Sequence, residues 1–156
     1  MESSINKEVA DTGWLPDVNV WLALCSDRHE FHESAGKWLA SIQAPVFFCR
    51  VTQMALLRLL TNPKVMGEDT LTPETAVGVY RDLLMDERVQ YTAEPAEVEK
   101  LWFSFMAVPA AKGSVWTDAW LAAFALARGV RLVTFDSGIR RWRELAPVIL
   151  KHDSLA

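Results

Sequence analysis

The chain has 156 residues, 51% hydrophobic and 23% charged, with sixteen basic against twenty acidic side chains and a formal net charge of -4. That balance fits one globular domain with a sizeable core and excludes a disordered chain. The negative sign excludes nucleic-acid binding through the overall field, so a phosphate ligand must be held by a local basic patch or a bound cation.

Residues 1–12 are polar and lack an apolar signal region, and they are read as a loosely attached leader. Residues 13–151 are expected to form one domain, with 152–156 as a tail. Gly13 to Asp17 reads as a short strand ending at Asp17, with Pro16 at its last turnout because proline is awkward inside a central strand. From Val18 the pattern turns helical through Val20, Trp21 and Leu24. A second helix carries Phe31, Ala35, Trp38, Leu39 and Ile42 on one face and is expected to stop at Pro45. Val46 to Cys49 suits a buried strand.

Thr52 is the expected N-cap of the next helix, whose buried side is Leu56, Leu57, Leu59 and Leu60 and which Asn62-Pro63 closes. Residues 64–71 read as loop. Thr72-Pro73-Glu74 is a helix start, with the helix running to about Met85. A short strand is expected over 88–92 and a helix from Pro95 to about Met106. After a loop over 108–114, Trp116 to Arg128 is a nearly all-apolar helix stopped by Gly129. A strand over 130–136, a short helix over 139–144 and a strand over 148–150 complete the domain. Helices alternating with short apolar strands, without hairpin signals, indicate an α/β domain with a mainly parallel sheet covered on both faces.

No apolar run is long enough for a membrane span, and Cys25 and Cys49 have no metal-binding spacing, so the default location is the cytoplasm with both thiols reduced. In parallel sheets, ligands bind beyond the carboxyl ends of strands. Asp17 and Asp136 end expected strands, and Asp118 lies in the first turn of the apolar helix. Each has a plainer alternative: Asp118 as a helix-start acid, Asp136 before Ser137-Gly138 as a turn former. If the three converge, each pair at about 4 Å repels by roughly 4 kcal/mol at an effective dielectric near 20. A cation or raised pKa values must relieve that repulsion. Oxygen-only ligands favour Mg²⁺ or Mn²⁺ over zinc.

At these residues the sequence resembles PIN domains, and VapC-like toxins in particular. Asp17-Val18-Asn19-Val20-Trp21-Leu22-Ala23-Leu24 resembles their opening motif, Thr117-Asp118-Ala119-Trp120 their third and Thr134-Phe135-Asp136 their fourth. The intervening Thr52-Gln53…Leu57-Arg58-Leu59-Leu60-Thr61-Asn62-Pro63 segment is also similar, and the resemblance covers about residues 14–150. It implies a three-layer α/β/α PIN-like fold and a metal-dependent endoribonuclease, the toxin of a toxin–antitoxin pair. Asp17, Asp118 and Asp136 would hold Mg²⁺ or Mn²⁺, which activates water and stabilises charge on the phosphate oxygens. Many PIN domains carry glutamate where this chain has Gln53; an amide adds no charge, so Gln53 is expected to be an outer or weak ligand. Glu30 and Glu33 are read as a solvated helix face.

Asn19 is a candidate to orient Asp17. Arg140, Arg141 and Arg143, with Arg128 and Arg131 flanking the preceding strand, form a candidate substrate rail. Trp38 and Trp102 read as core; Trp21, Trp116 and Trp120 lie near the acidic site, where burial in the core or a dimer interface is preferred to base stacking. His29, His32 and His152 are read as exposed and incidental. The resemblance also implies an RNA substrate, a cognate antitoxin and a homodimer, with Arg58 a candidate interface residue. Two rivals remain. A non-catalytic PIN-fold RNA- or protein-binding module has Gln53 as its only support. A haloacid-dehalogenase-type phosphatase needs a second aspartate where Asn19 stands.

Overall fold

The computed structural model describes residues 13–107, 113, 115–142 and 144–151. The expectations for the leader, the tail, Arg143 and most of the 108–114 loop fall outside them. Five strands, β1 (Trp14–Pro16), β2 (Val46–Phe48), β3 (Val89–Tyr91), β4 (Arg131–Thr134) and β5 (Val148–Ile149), form one sheet in the order β3-β2-β1-β4-β5. All four pairings are parallel. Such strands cannot be joined by hairpins, so helices cross over between them. In order these are α1 (Val18–Cys25), α2 (His32–Ser41), α3 (Arg50–Leu60), α4 (Pro63–Met66), α5 (Pro73–Leu83), α6 (Val98–Phe105) and α7 (Val115–Arg128).

Alternate strand residues point to opposite faces, and the two cores follow that rule. Trp14, Val46, Phe48 and Val133 pack with Val20, Trp21, Leu56, Leu60 and Tyr80 of α1, α3 and α5. Leu15, Phe47 and Leu132 pack on the other side with α6 and α7, chiefly Val98, Ala122 and Phe124. The result is the expected three-layer α/β/α domain. The central strands β1 and β2 are continuous buried apolar runs, whereas edge strand β3 buries only Val89 and leaves Gln90 and Tyr91 exposed.

Local differences have local causes. Pro16 closes β1, where it pairs with Val133 in the centre of the sheet; only the last position tolerates its missing N–H. Helix α2 stops at Ser41, before Pro45, because Ser41 turns its hydroxyl onto the Trp38 carbonyl and Ile42 is already extended. Helix α3 starts at Arg50, not after Thr52. Cys49 is the N-cap, and Thr52 sits three residues on, where its side chain accepts from the Cys49 N–H. The expected loop over 64–71 contains α4 and a 3-10 turn over Gly67–Asp69, since Asn62 caps Lys64 and Pro63 opens a helix as well as closing one. Thr72 caps α5 as expected. Helix α6 begins at Val98, three residues after Pro95, and the helix expected over 139–144 is a 3-10 turn over Ser137–Arg141. Gly129 ends α7 with φ 73°, a conformation favouring glycine.

Candidate active site

After β1 the chain builds outward through β2 and β3, then returns to lay β4 on the other side of β1. The reversal opens a crevice at the carboxyl ends of β1 and β4, the place where open α/β sheets bind ligands. Asp17 and Asp136 stand there because each follows the last residues of one of those strands, and α7 brings in Asp118 as the element preceding β4. The backbone closes across the seam through the Asp17 N–H, which donates to the Val133 carbonyl at 2.9 Å.

Asp17 is half-buried and fully engaged. One oxygen caps α1 by accepting from the Val20 N–H at 3.2 Å, and the other accepts from the Thr134 hydroxyl. Thr134, itself 2% exposed, accepts in turn from the Asp136 N–H at 3.0 Å. Burial pushes the Asp17 carboxyl up to about 6; hydrogen bonds from Thr134, Val20 and Asn19 oppose the rise, and the Asp118 charge adds to it. Burial also raises Asp118, followed by the charge of Asp136, while Arg141 pulls it back. Asp118 therefore feels both other carboxylates and is the pivot of the group. Asp136 is exposed and caps the following turn through the Gly138 N–H at 2.8 Å.

The sequence-predicted residues divide accordingly. Asp17, Asp118, Asp136 and Arg141 lie near one another; Asp118 and Asp136 also fill the helix-start and turn roles that were their plainer readings, and Asp17 caps α1, a role not read from the sequence. Asn19 meets Asp17 through its backbone, and its side chain is exposed. Arg140 is exposed on the same turn. Arg128 and Arg131 do not belong to a substrate rail. They lie at the amino end of β4, the opposite edge, where Arg128 covers Phe47 and Arg131 covers Trp14 and donates to the Ala146 carbonyl. Gln53 accepts from Arg50 and faces Tyr80. Among the described residues no group of three or more His, Cys, Asp or Glu side chains is drawn close enough together to hold a metal ion by itself.

Other expectations are corrected or kept. His29 and His32 are half-buried, not exposed: His32 Nδ1 contacts the Ala23 carbonyl at 2.7 Å, and His29 accepts from the Phe31 N–H and stacks on Phe135. Trp21 is wholly buried on Phe48, centroids 3.8 Å apart, and is core. Trp102 is half-buried with its indole N–H on the Trp116 carbonyl, and Trp116 is 50% exposed. Glu30 and Glu33 are exposed, Glu33 paired with Lys37 at 3.1 Å. Two residues escaped sequence reasoning. Thr134 was legible as lying on the same strand face as Asp136, two residues on. Arg50 was legible as the residue just past the end of β2.

The PIN domain family model matches residues 15–145. Over 134 residues the chain is 42% identical to Ribonuclease VapC41 of Mycobacterium tuberculosis, spanning 82% of this chain and 92% of that protein. Its backbone resembles the crystal structure of Mycobacterium tuberculosis VapC20, a sarcin-ricin loop cleaving toxin, with a TM-score of 0.65 at 18% identity over 87% of this chain and 98% of that one. It equally resembles VapBC2 from Rickettsia felis bound to a DNA fragment from their promoter, with a TM-score of 0.65 at 12% identity over 89% and 99%. At those identities the two structural likenesses speak for the fold alone.

Proposed function

The chain belongs to the PIN-domain family, and on that footing we propose that it is a divalent-cation-dependent endoribonuclease, the toxin of a toxin–antitoxin pair. The observation that carries this reading is the meeting of Asp17, Asp118 and Asp136 in the crevice between β1 and β4, with Asp118 in the field of both others. Two carboxyls raised above their ordinary range in a polar crevice are groups that a cation would stabilise.

The donor set fits a hard ion by its chemistry: carboxylate oxygens, without a histidine or cysteine among them. Mg²⁺ keeps several waters and is commonly held by one or two carboxylates together with substrate phosphates. When bound, the ion supplies the positive charge that a phosphodiester and an attacking water need in an acidic site. The chain's own residues do the rest. Thr134 fixes the Asp17 carboxylate, the α1 cap sets its direction, and Asp136 presents an exposed carboxylate toward solvent and substrate. Arg141, close enough to lower Asp118, is positioned for phosphate contact, with Arg140 beside it.

VapC41 is named a ribonuclease, and the Rickettsia felis protein stands in a VapBC complex; by kinship this chain would cut RNA and be restrained by a cognate antitoxin. We assign it a homodimeric state and a cytoplasmic place on the same ground. No helix among the described residues is long and apolar enough to cross a membrane. Arg58 is exposed beside a shallow hollow of about 220 Å³ lined by Leu57, Thr61, Pro73, Ala76 and Val77, a surface that suits a partner chain.

The test is cleavage of an RNA pool by the purified protein in Mg²⁺ or Mn²⁺ against EDTA, beside Asp17→Asn and Asp118→Asn. Discrete, cation-dependent fragments that vanish in both variants are expected. Cation binding without cleavage of any RNA would favour the non-catalytic module.

A further inference from the structure

Arg50 is the first residue of α3, at the carboxyl end of β2. The Trp14–Val46 pairing, continued along the strands, sets Asp17 level with Cys49, one residue before Arg50. Arg50 therefore stands on the same sheet edge as the aspartates, one strand over. A cation in a helix's first turn opposes the helix dipole, and α3 has no acid there to offset it. Helix stability does not explain this arginine.

Its side chain is nonetheless held. Nη1 donates to Gln53 Oε1, and the guanidinium lies over the Tyr91 ring, 4.9 Å from the centroid. Tyr91 is directly across from Phe48 in the β2–β3 register, and it keeps 40% of its surface exposed. Both partners are neutral. Arg28, Lys37 and Arg88 are paired with carboxylates; among the described residues Arg50 has no such partner. An oriented, exposed guanidinium with most of its donor fork unspent and its charge uncompensated suits a phosphate. Strands lie about 4.8 Å apart, so a guanidinium over β3 is on the order of 10 Å from Asp17, a distance within reach of the same RNA strand.

Resting on the ribonuclease reading, we propose that Arg50 anchors a backbone phosphate of the RNA near the bond being cut, with Gln53 and Tyr91 as its positioning residues. This gives the amide at position 53 a physical reason. A glutamate there would pair with Arg50 and cancel its charge, whereas glutamine orients the guanidinium and leaves the charge free for substrate.

The experiment measures binding of a labelled short random-sequence RNA to the full chain by fluorescence anisotropy. Ca²⁺ replaces the catalytic ion, and salt is varied. Arg50→Ala is expected to weaken binding about tenfold and to lower the slope of log affinity against log salt by about 0.7, one phosphate on a single strand. Its melting temperature should not change, because the side chain is exposed. Gln53→Glu should weaken binding in the same direction, while Arg58→Ala, about two turns further along α3, should bind as the parent does. Unchanged affinity and slope in Arg50→Ala, or an equal loss in Arg58→Ala, would overturn the proposal. If the parent cuts RNA while Arg50→Ala binds normally, only the anchor is wrong; if the parent neither binds nor cuts, both readings fall.

Discussion

Thr134 donates its hydroxyl to the carboxylate of Asp17 across the seam between β1 and β4, joining residues 117 positions apart. The same hydroxyl accepts from the Asp136 N–H, so one buried threonine ties together the two strand-end acids. Thr134→Val keeps the shape and removes both bonds. Side chains that orient metal ligands are typically worth about 10–100-fold in metal affinity or activity. We expect a loss of that size in cation affinity by calorimetry and in cleavage rate; unchanged values would mean that Asp17 needs no orientation from Thr134.

Asp17 makes stability depend on pH in a definite direction. Its ordinary value is 3.8, and in the fold it rises to about 6. Below pH 4 it is protonated in both states and costs nothing. Between pH 4 and 6 the unfolded chain ionises first, so the cation-free protein loses stability as pH rises, by about 3 kcal/mol at pH 7. Asn is also a good N-cap. Asp17→Asn should therefore be the more stable protein at pH 7 in EDTA, with the two urea midpoints converging near pH 4. A variant less stable at pH 7 would contradict this.

A divalent cation should reverse that loss. Added at 100 times its dissociation constant it stabilises the folded state by about 2.7 kcal/mol. The melting temperature of the parent should rise with Mg²⁺ or Mn²⁺ and fall back with EDTA. Asp118→Asn, which removes the carboxylate that feels both others, should show little or no rise.

Arg88 is a structural cation on the other side of the molecule. It donates to the Leu39 and Ile42 carbonyls at 2.6 and 2.8 Å and pairs with Asp86 at 2.7 Å, tying the end of α2 to the start of β3. Arg88→Ala leaves two carbonyls without their charged donor and should cost about 2–4 kcal/mol by chemical denaturation. Cleavage per folded molecule should be unaffected, which separates it from the site variants.

The acids of the site were legible because their reason is local. Asp17 and Asp136 each follow a strand and cap the turn or helix after it, and Asp118 stands in the first turn of α7. The alternation of short apolar runs with helical periods likewise carried the parallel, doubly covered sheet. Gln53 and Arg50 were different. They are three residues apart and in one helix turn, yet nothing local says that the amide oxygen faces the guanidinium or that Tyr91, 41 positions on from Arg50, lies beneath it.

Sequence by itself thus determined which residues end strands, which faces are apolar and which side chains bring negative charge to the carboxyl edge, since propensity, capping and periodicity act within a few residues. Only the tertiary structure decided that β4 lies against β1. That placement sets Thr134 on Asp17, sends Arg128 and Arg131 to the opposite edge and leaves Arg50 one strand from the acids. Strand order is fixed by packing between residues far apart in the chain, and no local pattern encodes it.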